Sequence, residues 1–323
     1  MRRKAELFAL VATMTAVVML ATSAASLTAA PQKQRYVQVV FLVGAEFWNH
    51  TRSGMEDAAK LLGGQIQTVL QGSQEWNGVE QATVLDQVIG TKPTGILVTA
   101  ADAKALVPGI NRAMKAGIPV VTFDTDAPTS DRLAFVGTDN YQSGRVLGNY
   151  LGQLLKGQGK IAILTVVGPS HLAERLKGVQ DVLKESYKGV TIAAVQDDKS
   201  QPEVSTNVTV SLLQAHPDLK AIISLHGQAA PGIVAGVRQA GKTPGKDVLV
   251  TGWDFPKETL DYIEKGQVAA TVAQNPYAMG YWAMMIVYAK NHKATRRFIG
   301  SQVPARVDTG VTIITSKSVK DWR

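Results

Sequence analysis

The side chains able to do chemistry in this chain are sparse, and their types narrow the field. None of the 323 residues is cysteine, so thiolate nucleophiles, disulfides, iron–sulfur clusters and thiolate zinc sites are excluded. The five histidines, His50, His171, His216, His226 and His292, never fall within four residues of one another, so no helical metal pair exists. No Gly-x-Ser-x-Gly elbow marks a serine nucleophile. Gly236 to Thr243 (GVRQAGKT) matches a phosphate loop letter by letter, but such a loop follows a strand and opens a helix. This segment closes a helical run, Pro231–Gln239, and runs into Pro244-Gly245, so Gly241 reads as a helix C-cap. No GxGxxG fingerprint follows either lobe's first strand. Neither a metal nor a cofactor is expected.

What remains is a set of carboxylates, amides and aromatics: Phe47, Trp48, Asp124, Asp126, Asn140, Asp254 and Gln274. A sugar ring presents a face of C–H groups that packs on an aromatic ring. Its hydroxyls need fixed partners: a carboxylate accepts two of them, and an amide both donates and accepts. His171 and His226 lie at strand ends, where either a ligand contact or a plain packing role is open to them. Each Asp alone is equally readable as a helix or turn cap. A matched pair, Asp124 and Asp254, favours the binding role.

The elements that must position these residues alternate between apolar runs and helical patterns. Tyr36–Val43, Gln65–Leu70, Gly95–Thr99 and Ile118–Phe123 read as strands. Ser53–Leu62, Val79–Ile89 and Ala103–Ala116 between them carry apolar residues at helical spacing. Near-continuous apolar strands separated by helices indicate a parallel sheet covered on both faces. The pattern then repeats. Lys160–Val167 follows Tyr36–Val43 at an offset of 124 residues, Ala221–Leu225 follows Gly95–Thr99 at 126, and Asp254 follows Asp124 at 130. The expectation is an α/β fold of two similar lobes, with ligand groups at the C-terminal ends of the strands and a cleft between.

Arg2, Arg3 and Lys4 precede an uncharged apolar run, Leu7–Ala21, and small residues follow it, which is the layout of a secretory signal over residues 1–30. At 15 residues the run is short for a membrane span. The net charge of +8 falls to +6 when that segment is removed, because three basic residues leave together with Glu6. The remaining charge is dispersed, with no run of five like charges, so no nucleic-acid partner is expected.

Several short motifs together resemble the periplasmic sugar-binding proteins of ABC importers, of the ribose-binding type. They are Ile118–Asp124 (IPVVTFD), Gly137–Asn140 (GTDN), Ala215–Asp218 (AHPD), Gly252–Asp254 (GWD) and Gly266–Gln274 (GQVAATVAQ). The resemblance implies a type I periplasmic binding protein: two Rossmann-like lobes, a three-strand hinge, and a monosaccharide or sugar alcohol held in the cleft. It places the hinge crossings near Thr138–Asn140, Gln274–Asn275 and Val307–Gly310. The lobes are then 36–138 plus 275–307 and 139–274 plus 308–323. Contacts carried over with matching residue type are Asp124, Asp254, Gln274 and an aromatic at Phe47 or Trp48, and Thr138 keeps a hydroxyl. Departures fall at Ala45, Thr99, Thr125, Ala173 (with Glu174-Arg175 beside it), Ser200 and His226, so ribose itself is not implied. The expected protein is a periplasmic monomer that hands its ligand to an ABC permease and does no chemistry of its own. A sensor that presents the bound sugar to a chemoreceptor or kinase is the alternative, and a secreted enzyme the remote one.

Overall fold

The computed structural model describes residues 33–292 and 304–322. The expected signal at 1–30 lies outside the described residues. Among the described residues no helix is long and apolar enough to cross a membrane.

The first lobe is built on a six-stranded sheet. Its strands are β1 (Gln34–Val40), β2 (Ile66–Gly72), β3 (Gly95–Val98), β4 (Val120–Phe123), β5 (Phe135–Gly137) and β11 (Arg306–Asp308), in the order β11-β5-β4-β3-β1-β2. All its pairings are parallel. Every residue of β3 and β4 is buried, because helices cover both faces of a parallel sheet. Those helices are α1 (Phe47–Leu62), α2 (Gly78–Gly90) and α3 (Ala103–Lys115). The carboxylate of Asp102 caps α3, and the Asn77 side chain accepts from two amides at the start of α2.

The second lobe repeats the design. Its strands are β6 (Gln158–Thr165), β7 (Gly189–Asp197), β8 (Leu219–Ser224), β9 (Leu249–Trp253), β10 (Ala270–Gln274) and β12 (Val311–Thr315), in the order β12-β10-β9-β8-β6-β7. Among the described residues only the β10–β12 pair is antiparallel. The accompanying helices are α4 (Asn140–Leu154), α5 (Ser170–Ser186), α6 (Pro202–Ala215), α7 (Ala229–Gln239) and α8 (Lys257–Glu264), and α9 (Pro276–Asn291) returns to the first lobe. The phosphate-loop pattern ends α7, and Gly241 terminates it at φ 74°, so no helix opens there to hold a phosphate.

The chain crosses between sheets after β5, after β10 and between β11 and β12. Asp139 caps α4 and Asn275 caps α9, so two of the three crossings lead at once into a capped helix. The crossings are also tied to one another: Thr309 N–H donates to Gly137 O at 2.9 Å, and Asp139 N–H to Asp308 Oδ1 at 2.9 Å.

Each lobe is clamped by a close helix crossing. In the first, α1 meets α9 where a methyl group on Gly54 would lie 2.0 Å from Tyr277 O, and one on Gly280 1.8 Å from Thr51 O. In the second, α4 meets α5 where a methyl on Gly144 would lie 2.0 Å from Arg175 O, and one on Gly178 2.1 Å from Tyr141 O. Glycine is required at all four positions because backbone touches backbone. Gly54 to Gly178 and Thr51 to Arg175 both reproduce the offset of 124.

Candidate functional site

A cavity of about 120 Å³ lies where the C-terminal strand ends of the two sheets face each other. Of the nine residues expected to bind ligand, seven line it: Phe47, Trp48, Asp124, His171, His226, Asp254 and Gln274. Phe47 and Trp48 stand at the start of α1 and not in a loop, which fixes their rings: Trp48 donates from Nε1 to Leu42 O and packs edge-on against Phe41, Phe47 and Phe123.

Asp124 and Asp254 each occupy the residue after a central strand, β4 and β9. Both adopt left-handed backbone, φ 60° and 55°, a region that Asp enters more readily than most side chains. Both amides donate to the next strand, Asp124 to Val136 O at 3.0 Å and Asp254 to Val272 O at 2.8 Å. Each carboxylate is half used. Asp124 Oδ2 accepts from Thr99 Oγ1 at 3.1 Å and Thr125 Oγ1 at 3.0 Å; Asp254 Oδ1 accepts from Gln274 Nε2 at 2.9 Å. Among the described residues nothing donates to Asp124 Oδ1 or Asp254 Oδ2, and neither is sealed from the cleft. Each is therefore an open acceptor for a hydroxyl.

Two expected residues stand outside the cavity. The Asp126 carboxylate is fully engaged by Arg132, by Thr122 Oγ1 at 2.7 Å and by the Ala127 amide at 2.8 Å, so it braces its own loop. Thr138 is buried at the first hinge crossing and donates to Gln274 Oε1 at 2.8 Å. Its hydroxyl orients the Gln274 amide, whose nitrogen holds Asp254.

The residue with most to add is Arg175 on α5. It is buried, with Nε on Asn140 Oδ1 at 2.9 Å, a terminal nitrogen on Leu225 O at 2.9 Å, and its guanidinium 4.1 Å over the Trp253 ring. Asn140 in turn donates to Thr138 O at 3.3 Å. A continuous chain of contacts thus runs from Arg175 through the hinge to Asp254. The resemblance had set Ala173 at the second-lobe arginine position; the structure places Arg175 in the cavity. The 124-residue repeat carries no signal for it, since the equivalent residue of α1 is Thr51. Trp76 and Gln228, which no motif marks, also line the cavity, as does Ser200, one of the positions that depart from the family pattern.

His226 donates from Nε2 to the buried Asp198 carboxylate, 2.7 Å away, and Asp198 also accepts from Ser205 Oγ at 2.7 Å and the Ser200 amide at 3.2 Å. The network turns His226 Nδ1 toward Ser200, 3.5 Å off, and toward the cleft.

Burial dominates the electrostatics. It raises the Asp124 carboxyl to about 6 against the opposing pull of Thr125 and Arg175, and it raises Asp254 as well. Burial lowers Arg175 to about 10 while the two carboxylates hold its proton. Burial, with Arg175 and His226 nearby, lowers His171 to about 3, so that imidazole is neutral. Two acidic side chains, Asp124 and Asp254, thus face one guanidinium.

Residues 38–293 match the family model described as periplasmic binding protein domain. A D-ribose/D-allose-binding protein of Pseudomonas aeruginosa is 29% identical over 252 residues, covering 76% of this chain and 78% of that protein. The D-allose-binding periplasmic protein of Escherichia coli K12 is 30% identical over 263 residues, covering 78% and 83%. An arabinose-binding protein from Geobacillus stearothermophilus superposes with a TM-score of 0.83 at 33% identity, covering 90% of this chain and 99% of that one. The sugar-binding protein of a Bacillus halodurans sugar ABC transporter gives 0.84 at 30% identity, covering 90% and 100%.

Proposed function

The chain belongs to the type I periplasmic binding proteins, the sugar-binding kind that serve ABC importers, and on that premise we propose that its cleft captures one neutral monosaccharide or similar polyol. The observation that carries this reading is the pair Asp124 and Asp254. They stand at equivalent strand ends, one per lobe, each with one oxygen spoken for and one open. A ligand whose hydroxyls bridge them ties the lobes together, which is how binding becomes hinge closure. Phe47 and Trp48 supply an apolar floor, and Gln274 and Arg175 complete the polar wall. In this reading the signal segment delivers the chain to the periplasm, where it acts as a monomer and its closed form docks on the permease.

No bond-breaking is assigned to the cleft. Ser200, His226 and Asp198 follow one another as in a hydrolase, but the Ser200 hydroxyl is 3.5 Å from the imidazole and 3.2 Å from Gln228 Oε1, to which it donates. The group reads as a hydrogen-bonded wall.

The test is calorimetry and thermal shift on the mature protein with D-ribose, D-allose, L-arabinose and myo-inositol, set against D-galacturonate. At least one neutral compound should bind one to one, and at 100 times Kd it should stabilise the fold by about 2.7 kcal/mol. The sugar acid should bind at least ~100-fold more weakly, because its carboxylate would enter a site that already holds two against one guanidinium. No response to any neutral compound, or equal binding of the acid, defeats the reading.

Affinity should also depend on pH with a definite sign. Hydroxyls donate to ionised Asp124, so protonation competes with ligand. With the carboxyl at about 6, Kd at pH 5 should be about 10-fold weaker than at pH 7.5. Asp124→Asn should bind more weakly and lose that dependence. Affinity flat in the native protein from pH 5 to 7.5 would remove Asp124 from the contact set.

A further inference from the structure

The cavity divides its chemistry unequally between the lobes. Among the described residues every Phe and Trp that lines it, Phe41, Phe47, Trp48 and Trp76, comes from the first lobe, and the second lobe contributes none. The repeat makes this informative. Trp76 and Ser200 are 124 residues apart, and each directly precedes a helix N-cap, Asn77 of α2 and Gln201 of α6. They are the same position in the two lobes. An aromatic overhang therefore exists on one side of the cleft and is absent from the other. Phe47 and His171, also 124 apart, are a second such pair, with an imidazole where the first lobe has a phenyl ring.

Trp76 is held for the task. Its Nε1 donates to Ala101 O at 3.2 Å, and one face stacks on Phe41 with centroids 4.6 Å apart and planes at 29°. Its other face is turned across the cleft toward His171, nearly parallel at 11°, with centroids 6.4 Å apart. The indole is only partly covered, since Trp76 remains 44% exposed. Opposite it, His171 Nδ1 is buried and has no hydrogen-bond partner among the described residues. A buried polar atom left unpaired costs free energy until something pairs with it. The ring is uncharged, and a ligand hydroxyl can donate or accept, so it satisfies either tautomer.

We propose that Trp76 and His171 close the cleft as a pair across the two lobes, the indole taking a C–H face of the ligand ring and His171 Nδ1 taking one of its hydroxyls. The pair then does from the first lobe what an aromatic at Ser200 would do from the second, and it sets which neutral ring the cleft accepts. This rests on the sugar reading above.

The test compares Trp76→Ala, Trp76→Phe, His171→Leu and Asp254→Ala by calorimetry and tryptophan fluorescence. The probe is the tightest-bound of D-ribose, D-allose, L-arabinose and myo-inositol. Trp76→Ala should weaken binding at least ~10-fold. Trp76→Phe should stay within about threefold, because the ring and its Phe41 stack remain, yet lose most of the ligand-induced fluorescence change. His171→Leu should weaken binding by about 10-fold without lowering the ligand-free melting temperature, since it removes an unpaired polar atom. Binding by Trp76→Ala within twofold of native, with Asp254→Ala inactive, overturns the pair and leaves the sugar reading standing. An unchanged fluorescence response in Trp76→Phe overturns the indole contact. Native-like binding by Asp254→Ala, or a native protein that binds none of the four probes, brings down the sugar reading and this proposal with it.

Discussion

Replacing Asp254 by alanine should abolish sugar capture while leaving the fold intact. In the proposed site the open oxygen of this carboxylate serves as the second lobe's acceptor, and its other oxygen holds the Gln274 amide, which Thr138 orients from the hinge. Removing it deletes one or two charge-assisted hydrogen bonds to ligand and frees the amide that the ligand would also meet. At about 1.5–3 kcal/mol for each such bond, the loss in Kd is at least ~10-fold for one bond and ~100-fold for two. Stability runs the other way. Burial raises the Asp254 carboxyl, so the ionised group is a native-state penalty at pH 7.5 that protonation relieves as the pH falls. Alanine removes that penalty but must hold φ 55°, which costs about 1–2 kcal/mol. The two effects oppose, and the ligand-free melting temperature should stay within a few degrees of native. Asp254→Asn, which tolerates that backbone, should melt higher than Asp254→Ala. Calorimetry with the panel above and melting at pH 7.5 check both halves. Binding within threefold of native, or a collapse of the ligand-free fold, refutes the assignment.

The lobes were readable because a parallel sheet buried on both faces needs strands that are apolar throughout. β3 (GILV), β4 (VVTF) and the Ala221–Ser224 part of β8 (AIIS) declare themselves as short, largely apolar runs, and two copies at an offset of about 124 make the repeat visible. Strand ends were less legible. β1 ends at Val40 although the apolar run continues to Val43, because Phe41 turns into the cleft wall and Leu42 takes φ 48°. Apolar composition cannot distinguish a residue that continues a ladder from one that lines a cavity.

The site was legible where a residue type and its symmetric partner coincided, as at Asp124 and Asp254. It was illegible where the lobes have diverged. Trp76 escaped notice because its counterpart is a serine, and Arg175 because its counterpart is Thr51. Asp126 misled for the converse reason. A carboxylate two residues beyond Asp124 has the right chemistry, but Arg132 lies close enough to consume it. Only geometry says whether a carboxylate's oxygens are already taken.

The helix crossing that carries Arg175 should be equally unforgiving. Gly178→Ala puts a methyl group 2.1 Å from Tyr141 O and 2.8 Å from Arg145 N, both backbone atoms, so no side-chain rotation relieves the overlap and α4 and α5 must part. Overpacking at a rigid contact costs about 3 kcal/mol, the upper end of the usual range, and at ~2.1 cal/mol/K of unfolding entropy per residue that lowers Tm by roughly 5 °C in a protein of this size. Affinity should fall too. Arg175 lies one turn before Gly178 on the same helix, its carbonyl abuts Gly144, and its Nε reaches Asn140 on the facing helix at 2.9 Å. Separating the helices stretches that bond and withdraws the guanidinium from between the two carboxylates. Gly54→Ala is the matched comparison: its methyl meets Tyr277 O at 2.0 Å in the other lobe, so it should cost similar stability while leaving Arg175 where it is. Gly90→Ala, with nothing within 4 Å, should change neither property. Thermal melts and calorimetry on the three variants separate packing from recognition. A Gly178→Ala protein that melts within 2 °C of native would mean that the helices yield freely, and that Arg175 is not held by this crossing.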